Sequence, residues 1–344
     1  MNESHRVRAF APGRVNLIGE HTDYTGGLAM PMAIDLGTTV EGSRRANSDR
    51  VVLRSTTEGA LADVSIHVED PASVTPAWAR YVAGIVHEVR PPGGFDGTVR
   101  TTMPIGSGLS SSAALELAVA LALGFAGSPS DLATMAQRAE QIASGVPCGV
   151  MDQLASASGI AGHALLMNFT TMHIEPVPVP EGVDILVVHS GQERTLAGSA
   201  YAERRQSCEM AATRMGPLLE ADLEHLNRLG EDTMRRRARH VITENQRVLD
   251  FAEAFRTNDL VTAGQIMSAS HASLRDDFEV STKVLDDLVE SLSWRPGVFG
   301  ARLTGAGFGG CVVALAEKGA VNPARLGNRA WIVQPSSGAS VTSI

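Results

Sequence analysis

The stretch Ala113 to Ala126 is apolar at every position but Glu116 and Gly124, and it most constrains what this chain can become. As the helix Ser112–Phe125 it has no polar face to give to water, so other elements must enclose it. It is too short to span a bilayer, and Glu116 lies within it. A layered fold of at least one sizeable core follows, and 344 residues suffice for two such units. With 44 % hydrophobic and 19 % charged residues, disorder is not expected over most of the length.

Around that helix the pattern changes along the chain. The first third reads as strands, at Leu28–Val40, Arg50–Ser55, Ala62–Val68 and Gly97–Met103, each bounded by Gly, Pro, Asn or Asp. Asp131–Ala143 is an amphipathic helix behind Ser128-Pro129, a cap followed by proline in the first turn. Strands return at His163–His173 and Asp184–His189, separated by the proline-spaced Pro176–Pro180, the expected domain boundary. Leu196–Met215, Asp222–Phe255 and Leu260–Ser273 read as helices, and Phe299–Leu303, Cys311–Glu317 and Ala330–Gln334 as strands. Strands and helices grouped in blocks predict an α+β protein of two lobes, 1–180 and 181–344.

Charge and residue usage exclude several functions. There are 29 basic and 38 acidic residues, a net charge of −9, which disfavours nucleic acid and anionic membranes as partners. Only Lys283 and Lys318 are lysines, so 29 − 2 = 27 bases are arginines. Neither lysine lies in a glycine-rich phosphate loop, which rules out a P-loop or protein-kinase active site. Cys148, Cys208 and Cys311 form no C-x-x-C pair, so a disulfide framework or zinc site is not expected and a reducing cytoplasm is. The polar start Met1–Arg6 lacks the apolar core of a signal peptide.

Four segments carry chemistry. Pro104-Ile105-Gly106-Ser107-Gly108-Leu109-Ser110-Ser111-Ser112-Ala113-Ala114 leads from a strand into the apolar helix. Its glycines allow close backbone approach, and the helix N-terminal amides make an anion site with a serine hydroxyl able to ligate Mg²⁺. A capped helix after a tight turn is the plainer reading. Asp152 follows the turn Gly145–Gly149 and could accept a hydroxyl proton in a cleft; equally it could be an N-cap, and Glu140 a solvated helix charge. Gly305-Ala306-Gly307-Phe308-Gly309-Gly310 matches G-x-G-x-x-G, but Cys311–Leu315 reads as a strand where a dinucleotide site needs a helix. Finally, Arg14-Val15-Asn16-Leu17-Ile18-Gly19-Glu20-His21-Thr22-Asp23-Tyr24 concentrates groups suited to a polyhydroxylated ligand, with Arg14 able to stabilise charge at a reacting oxygen.

In combination and order these segments resemble the GHMP small-molecule kinases and, within them, the galactokinases. Arg14–Tyr24 looks like the galactokinase sugar segment, Pro104–Ala114 like the phosphate loop, and Thr304–Gly310 like the third motif. Gly149–Gln153, Ser199–Arg205 and Ser273–Ser281 are also galactokinase-like, so the resemblance runs from about residue 8 to the C-terminus. It implies the two-lobed GHMP kinase fold, an N-terminal mixed sheet-and-helix lobe and a C-terminal α/β lobe with the active site between them. It further implies ATP-dependent phosphorylation of galactose at the anomeric hydroxyl by a cytoplasmic monomer.

Carried over by position, the resemblance gives Asp152 the role of base and sets Arg14 beside it. Glu20, His21, Asp23, Gly149 and Tyr201 would hold the sugar. Gly106, Ser107, Gly108, Leu109, Ser110, Ser111, Ser112 and Ala113 would cradle the ATP phosphates, with Ser112 and Glu140 on Mg²⁺. Trp78 and Tyr81 would lie by the nucleobase, where ordinary helix packing is the alternative. Three departures stand out: only ten residues precede Ala11, Asn168 occupies a position where the family commonly has Asp, and Arg194 departs from the usual basic position. They leave galactosamine, its N-acetyl form or another aldohexose as alternative substrates, alongside a non-catalytic sugar and ATP sensor. Mevalonate or homoserine would not call for Glu20–Asp23.

Overall fold

A computed structural model describes residues 6–104, 108–192, 197–327 and 329–344. The strands are β1 (Arg6–Asn16), β2 (Leu28–Ala29), β3 (Pro31–Arg45), β4 (Arg50–Ser55), β5 (Ala62–Ser65), β6 (Gly94–Thr101), β7 (His163–Asn168), β8 (His173–Pro178), β9 (Val183–His189), β10 (Val298–Thr304), β11 (Cys311–Glu317), β12 (Ala330–Val333) and β13 (Ser340–Ser343). The α-helices are α1 (Ala79–Val89), α2 (Ser111–Leu123), α3 (Pro129–Ser144), α4 (Met151–Ser158), α5 (Ala197–Met215), α6 (Asp232–Arg256), α7 (Leu260–Asp276) and α8 (Lys283–Ser293).

The N-terminal lobe is a six-stranded sheet in the order β13-β1-β3-β6-β4-β5, antiparallel except where β4 runs parallel to β6. The apolar helix α2 packs on β1 and β3 beneath α1, α3 and α4, which supplies the enclosure its composition demands. Helix α3 starts as expected: Ser128 and Asp131 form a reciprocal capping box, with Pro129 in the first turn.

The C-terminal lobe is built on the sheet β10-β11-β9-β12. Ile185, Val187, Val313 and Leu315 join one hydrophobic core, and Leu186, Val188, Val312 and Ala314 the other. Side chains alternate across a strand, so a sheet covered on both faces needs the continuous apolar runs seen in β9 and β11. The first core continues into the N-terminal lobe and joins the two.

Several expectations are corrected. The helix expected over Asp222–Phe255 is two elements, because Asp222 caps a 3-10 turn (Leu223–Arg228) and α6 begins only after Gly230. The proline-spaced Pro176–Pro180 is not simply a linker. Its first part belongs to β8, an edge strand of the sheet β2-β7-β8, where missing amide donors cost no ladder bond. A division at 180/181 also leaves out β13, which returns to pair with β1.

Candidate active site

The site forms where β1, the start of α2, the start of α4 and the glycine-rich turn after β10 converge. A break in register between Pro12 and Arg14 of β1 marks the point at which the loop before α2 presses in. Such an irregularity re-aims the next side chain. Arg14 is buried and grips Asp152 with two hydrogen bonds, Nε to Oδ1 and Nη2 to Oδ2, each 2.7 Å, while Nη1 donates to the Gly108 carbonyl at 2.7 Å. A bidentate guanidinium fixes the carboxylate plane as well as its charge.

Asp152 is not an N-cap; Val150 occupies that position without a side-chain cap, and Asp152 lies in the first turn of α4. Ser110 supplies its third contact, the hydroxyl donating to Oδ2 at 2.5 Å. That contact bears on the plainer reading of the loop, a capped helix. Ser110 is the N-cap residue of α2 yet makes no capping bond, since its hydroxyl has turned to Asp152. The helix start is left without a described side chain across its amides, as an anion site requires. Leu109 is buried, its carbonyl accepting from the Arg14 amide at 3.1 Å. Gly106 and Ser107 lie outside the described residues.

Below this junction is a cavity of about 190 Å³ lined by Arg14, Glu20, His21, Asp23, Glu140, Cys148, Gly149, Asp152 and Tyr201, among others. Asp23 faces it from a 3-10 turn, accepting the Tyr24 and Met151 amides. Burial, and after it the Asp152 carboxylate, pushes its pKa up to about 6. Gly149 passes directly beneath Asp23, and its amide donates to the Tyr201 hydroxyl. His21 Nε2 meets the Ala306 carbonyl at 3.1 Å and therefore donates; Nδ1 is then free to accept from the Tyr24 hydroxyl, 3.0 Å away. The Glu20 carboxylate accepts the Gly305 amide at 2.6 Å, and burial raises its pKa. The third motif thus acts on the sugar segment through its amide and carbonyl groups, and a strand, β11, follows it as expected.

Glu140 is no solvated helix charge. Its carboxylate accepts from Ser112, Gln153 and Cys148, and burial raises its pKa. Gln153 Nε2 also reaches Glu116 at 3.3 Å, and Glu116 is fully buried with its pKa pushed well up by burial and then by Glu140. Sequence reasoning missed both. A lone carboxylate in the apolar stretch was the signal for Glu116; Gln153 offered none. Trp78 and Tyr81 are not among the residues lining the cavity: Trp78 stands at the N-cap position of α1 without a side-chain capping bond, and its indole donates to the Ala60 carbonyl at 3.2 Å. Asn168 does the local work an Asp would do, its Oδ1 accepting the Thr170 and Thr171 amides at 3.0 Å each. Arg194 lies outside the described residues.

The chain matches three family models: the galactokinase galactose-binding signature over residues 2–44, the GHMP kinase N-terminal domain over 79–160, and the GHMP kinase C-terminal domain over 251–331. It is 43 % identical to galactokinase of Bos taurus over 329 residues, 90 % of this chain and 83 % of that one. With galactokinase of Haemophilus influenzae it shares 41 % over 350 residues, covering 94 % and 90 %. The crystal structure of Lactococcus lactis galactokinase complexed with galactose superposes with a TM-score of 0.89 at 32 % identity, covering 97 % of this chain and 95 % of that one. Methanococcus jannaschii mevalonate kinase, at 19 % identity and a TM-score of 0.68, shares the fold. The galactokinase signature takes in Arg14 to Asp23, and the chain belongs to the galactokinase family of the GHMP kinases.

Proposed function

We propose that this kinase transfers the γ-phosphoryl group of ATP to the anomeric hydroxyl of galactose, giving galactose 1-phosphate and ADP. One observation carries the reading: Ser110, at the start of the phosphate-loop helix, and Arg14, in the sugar segment, both hold the same carboxylate, Asp152. The nucleotide and sugar halves of the site meet at the group that would take the proton.

In this reading Glu20, His21, Asp23, Gly149 and Tyr201 orient the sugar in the cavity. Asp152 accepts the hydroxyl proton, while Arg14 holds its carboxylate plane in place. Amides from Gly108 to Ala113, with Gly106 and Ser107 before them, receive the phosphates. No lysine is needed, because phosphoryl transfer depends on positioning and charge neutralisation. Trp78 and Tyr81, at the start of α1, border the nucleobase.

The donor chemistry fits Mg²⁺: the Ser112 hydroxyl and the Glu140 carboxylate lie in hydrogen-bond contact as hard oxygen ligands, and burial of Glu140 is a cost that a cation would relieve. Bound there, Mg²⁺ would neutralise phosphate charge. The reading extends to lobes of 1–180 and 181–344, the latter sending β13 back to the first, and to a monomeric, cytoplasmic enzyme, the last on cysteine usage.

ADP release with Mg²⁺-ATP across galactose, glucose, galactosamine, N-acetylgalactosamine and mevalonate tests it. Turnover with galactose well above the others is expected. Preference for another sugar moves the substrate and keeps the chemistry; sugar binding with no turnover overturns the enzyme.

A further inference from the structure

The sugar segment belongs to the N-terminal lobe by sequence, but the other lobe holds much of its backbone. Helix α6 makes three contacts to the segment within six residues. His240 Nε2 donates to the Glu20 carbonyl at 3.1 Å, Glu244 Oε1 accepts the Gly19 amide at 3.0 Å, and Asn245 Oδ1 accepts the Leu28 amide at 2.8 Å. His240 and Glu244, one turn apart, lie on the same face of the helix, and Asn245, the next residue, carries the contacts round to Leu28. His240 and Glu244 are fully buried and Asn245 nearly so. None of the three lines the cavity.

A buried charge chain ties these contacts to the site. Arg302 of β10, fully buried, stands 3.6 Å from Glu20 and 3.7 Å from Glu244. Glu244 also receives Ser270 Oγ at 2.6 Å and Arg247 Nε at 2.7 Å. Burial alone would raise the Glu244 pKa, yet the permanent charges of Arg247 and Arg302 help bring it down to about 2, so it is an anion with several fixed donors. His240 is held neutral by burial, with a pKa of about 4, so its single N–H has one use, the Glu20 carbonyl. Carbonyl and amide groups on either side of the Glu20–Asp23 turn are therefore pinned from α6.

We infer that His240, Glu244 and Asn245 are positioning residues that set the sugar-binding conformation of Gly19–Leu28 and thereby sugar affinity, without touching the sugar. The inference rests on the assignment of the cavity to sugar. Losing a fixed acceptor for a buried amide, or the Glu244 charge that Arg247 and Arg302 hold in place, lets the turn relax, moving Glu20, His21 and Asp23 together; the nucleotide side, built on α2 and α3, keeps its geometry.

The test compares Glu244→Gln, Asn245→Leu and Asn245→Asp with Val241→Ala, a core position of the same helix that makes no bond to the segment. In the first two variants KM for galactose should rise about tenfold or more, with KM for ATP within about twofold of wild type. Asn245→Asp, which keeps the acceptor, should recover most of the loss. Val241→Ala should lower the melting temperature without moving either KM. Folded Glu244→Gln and Asn245→Leu proteins with an unchanged galactose KM, or with both KM values raised equally, would overturn the inference. Should the variants not fold, hydrogen exchange on the wild-type protein without substrate decides: Gly19 and Leu28 amides are expected to be as protected as the core of α6, and loop-like exchange overturns it. Wild-type protein inert towards every sugar would instead sink the assignment of the cavity, a result separate from the exchange measurement.

Discussion

Gly149 runs so close beneath Asp23 that a Cβ built on it would stand 1.6 Å from Asp23 Oδ2. No side chain fits there without displacing the carboxylate, which is seated on the Tyr24 and Met151 amides. Glycine is required at this position by close approach.

Gly149→Ala should therefore act on the sugar and leave the fold intact. Loss of hydrogen bonds to a charged group costs about 1.5–3 kcal/mol, which corresponds to roughly a 10- to 100-fold rise in KM for galactose. The melting temperature should stay near wild type. An unchanged KM would show that Asp23 makes no contact with the sugar.

Asp152→Asn should separate chemistry from binding. A positioned general base contributes about 10²–10⁴ in rate, so kcat should fall by that order. Galactose binding by calorimetry should survive, since Arg14 still has the Gly108 carbonyl and the amide oxygen. Ser110→Ala removes one of the donors on Asp152 and should cost about tenfold in kcat at most, with galactose binding kept. Full turnover in Asp152→Asn would remove Asp152 from the mechanism.

What the sequence disclosed and what it concealed follow from the range of the interactions. Strands β4 and β11 have the boundaries expected for them, because β-branched runs ended by turn residues are local signals. The Ser128 cap is equally local. Ser110 shows the opposite case: its local preference is to cap α2, but Asp152, 42 positions away, takes the hydroxyl. Nothing near Ser110 announces that competition. Helix α8 was missed although Leu285, Val289 and Leu292 form a buried stripe, because acidic and polar residues dominate the rest of its face. Strand β13 was missed because all four of its residues are exposed and only pairing with β1 makes it a strand. The sugar segment was legible as chemistry from Glu20, His21 and Asp23, whereas its supports on α6 and β10 are more than 200 positions away.

The raised pKa of Asp23 gives two pH dependences of defined sign. As the ionised form is the better acceptor for sugar hydroxyls, kcat/KM for galactose should fall as pH drops through about 6. Stability runs the other way. Folded protein holds this proton more tightly than the unfolded chain, whose value is 3.8, so the stabilisation is complete below about 3.8 and lost as pH rises through about 6. Asp23→Asn carries no such titration. Urea unfolding from pH 4 to 7 should find the variant gaining on wild type over that window; parallel curves would mean that Asp23 titrates normally.

Gly307 and Gly319 share a backbone angle, φ of +79°, in different surroundings. At Gly319 a Cβ would meet open space, so Gly319→Ala carries only the left-handed strain of about 1–2 kcal/mol. At Gly307 a Cβ would come within 2.4 Å of the Val280 carbonyl, the same oxygen that accepts the Phe308 amide at 2.8 Å. Backbone cannot give way as a flexible side chain does, so Gly307→Ala must move the turn. Gly305 and Ala306 would then leave Glu20 and His21, whose bonds to them are 2.6 and 3.1 Å. Gly307→Ala should lose more stability than Gly319→Ala by about 1–3 kcal/mol and raise KM for galactose about tenfold, while Gly319→Ala leaves KM unchanged. Equal urea midpoints and equal KM values for the two variants would show that the third motif is only a hairpin and does not organise the sugar segment.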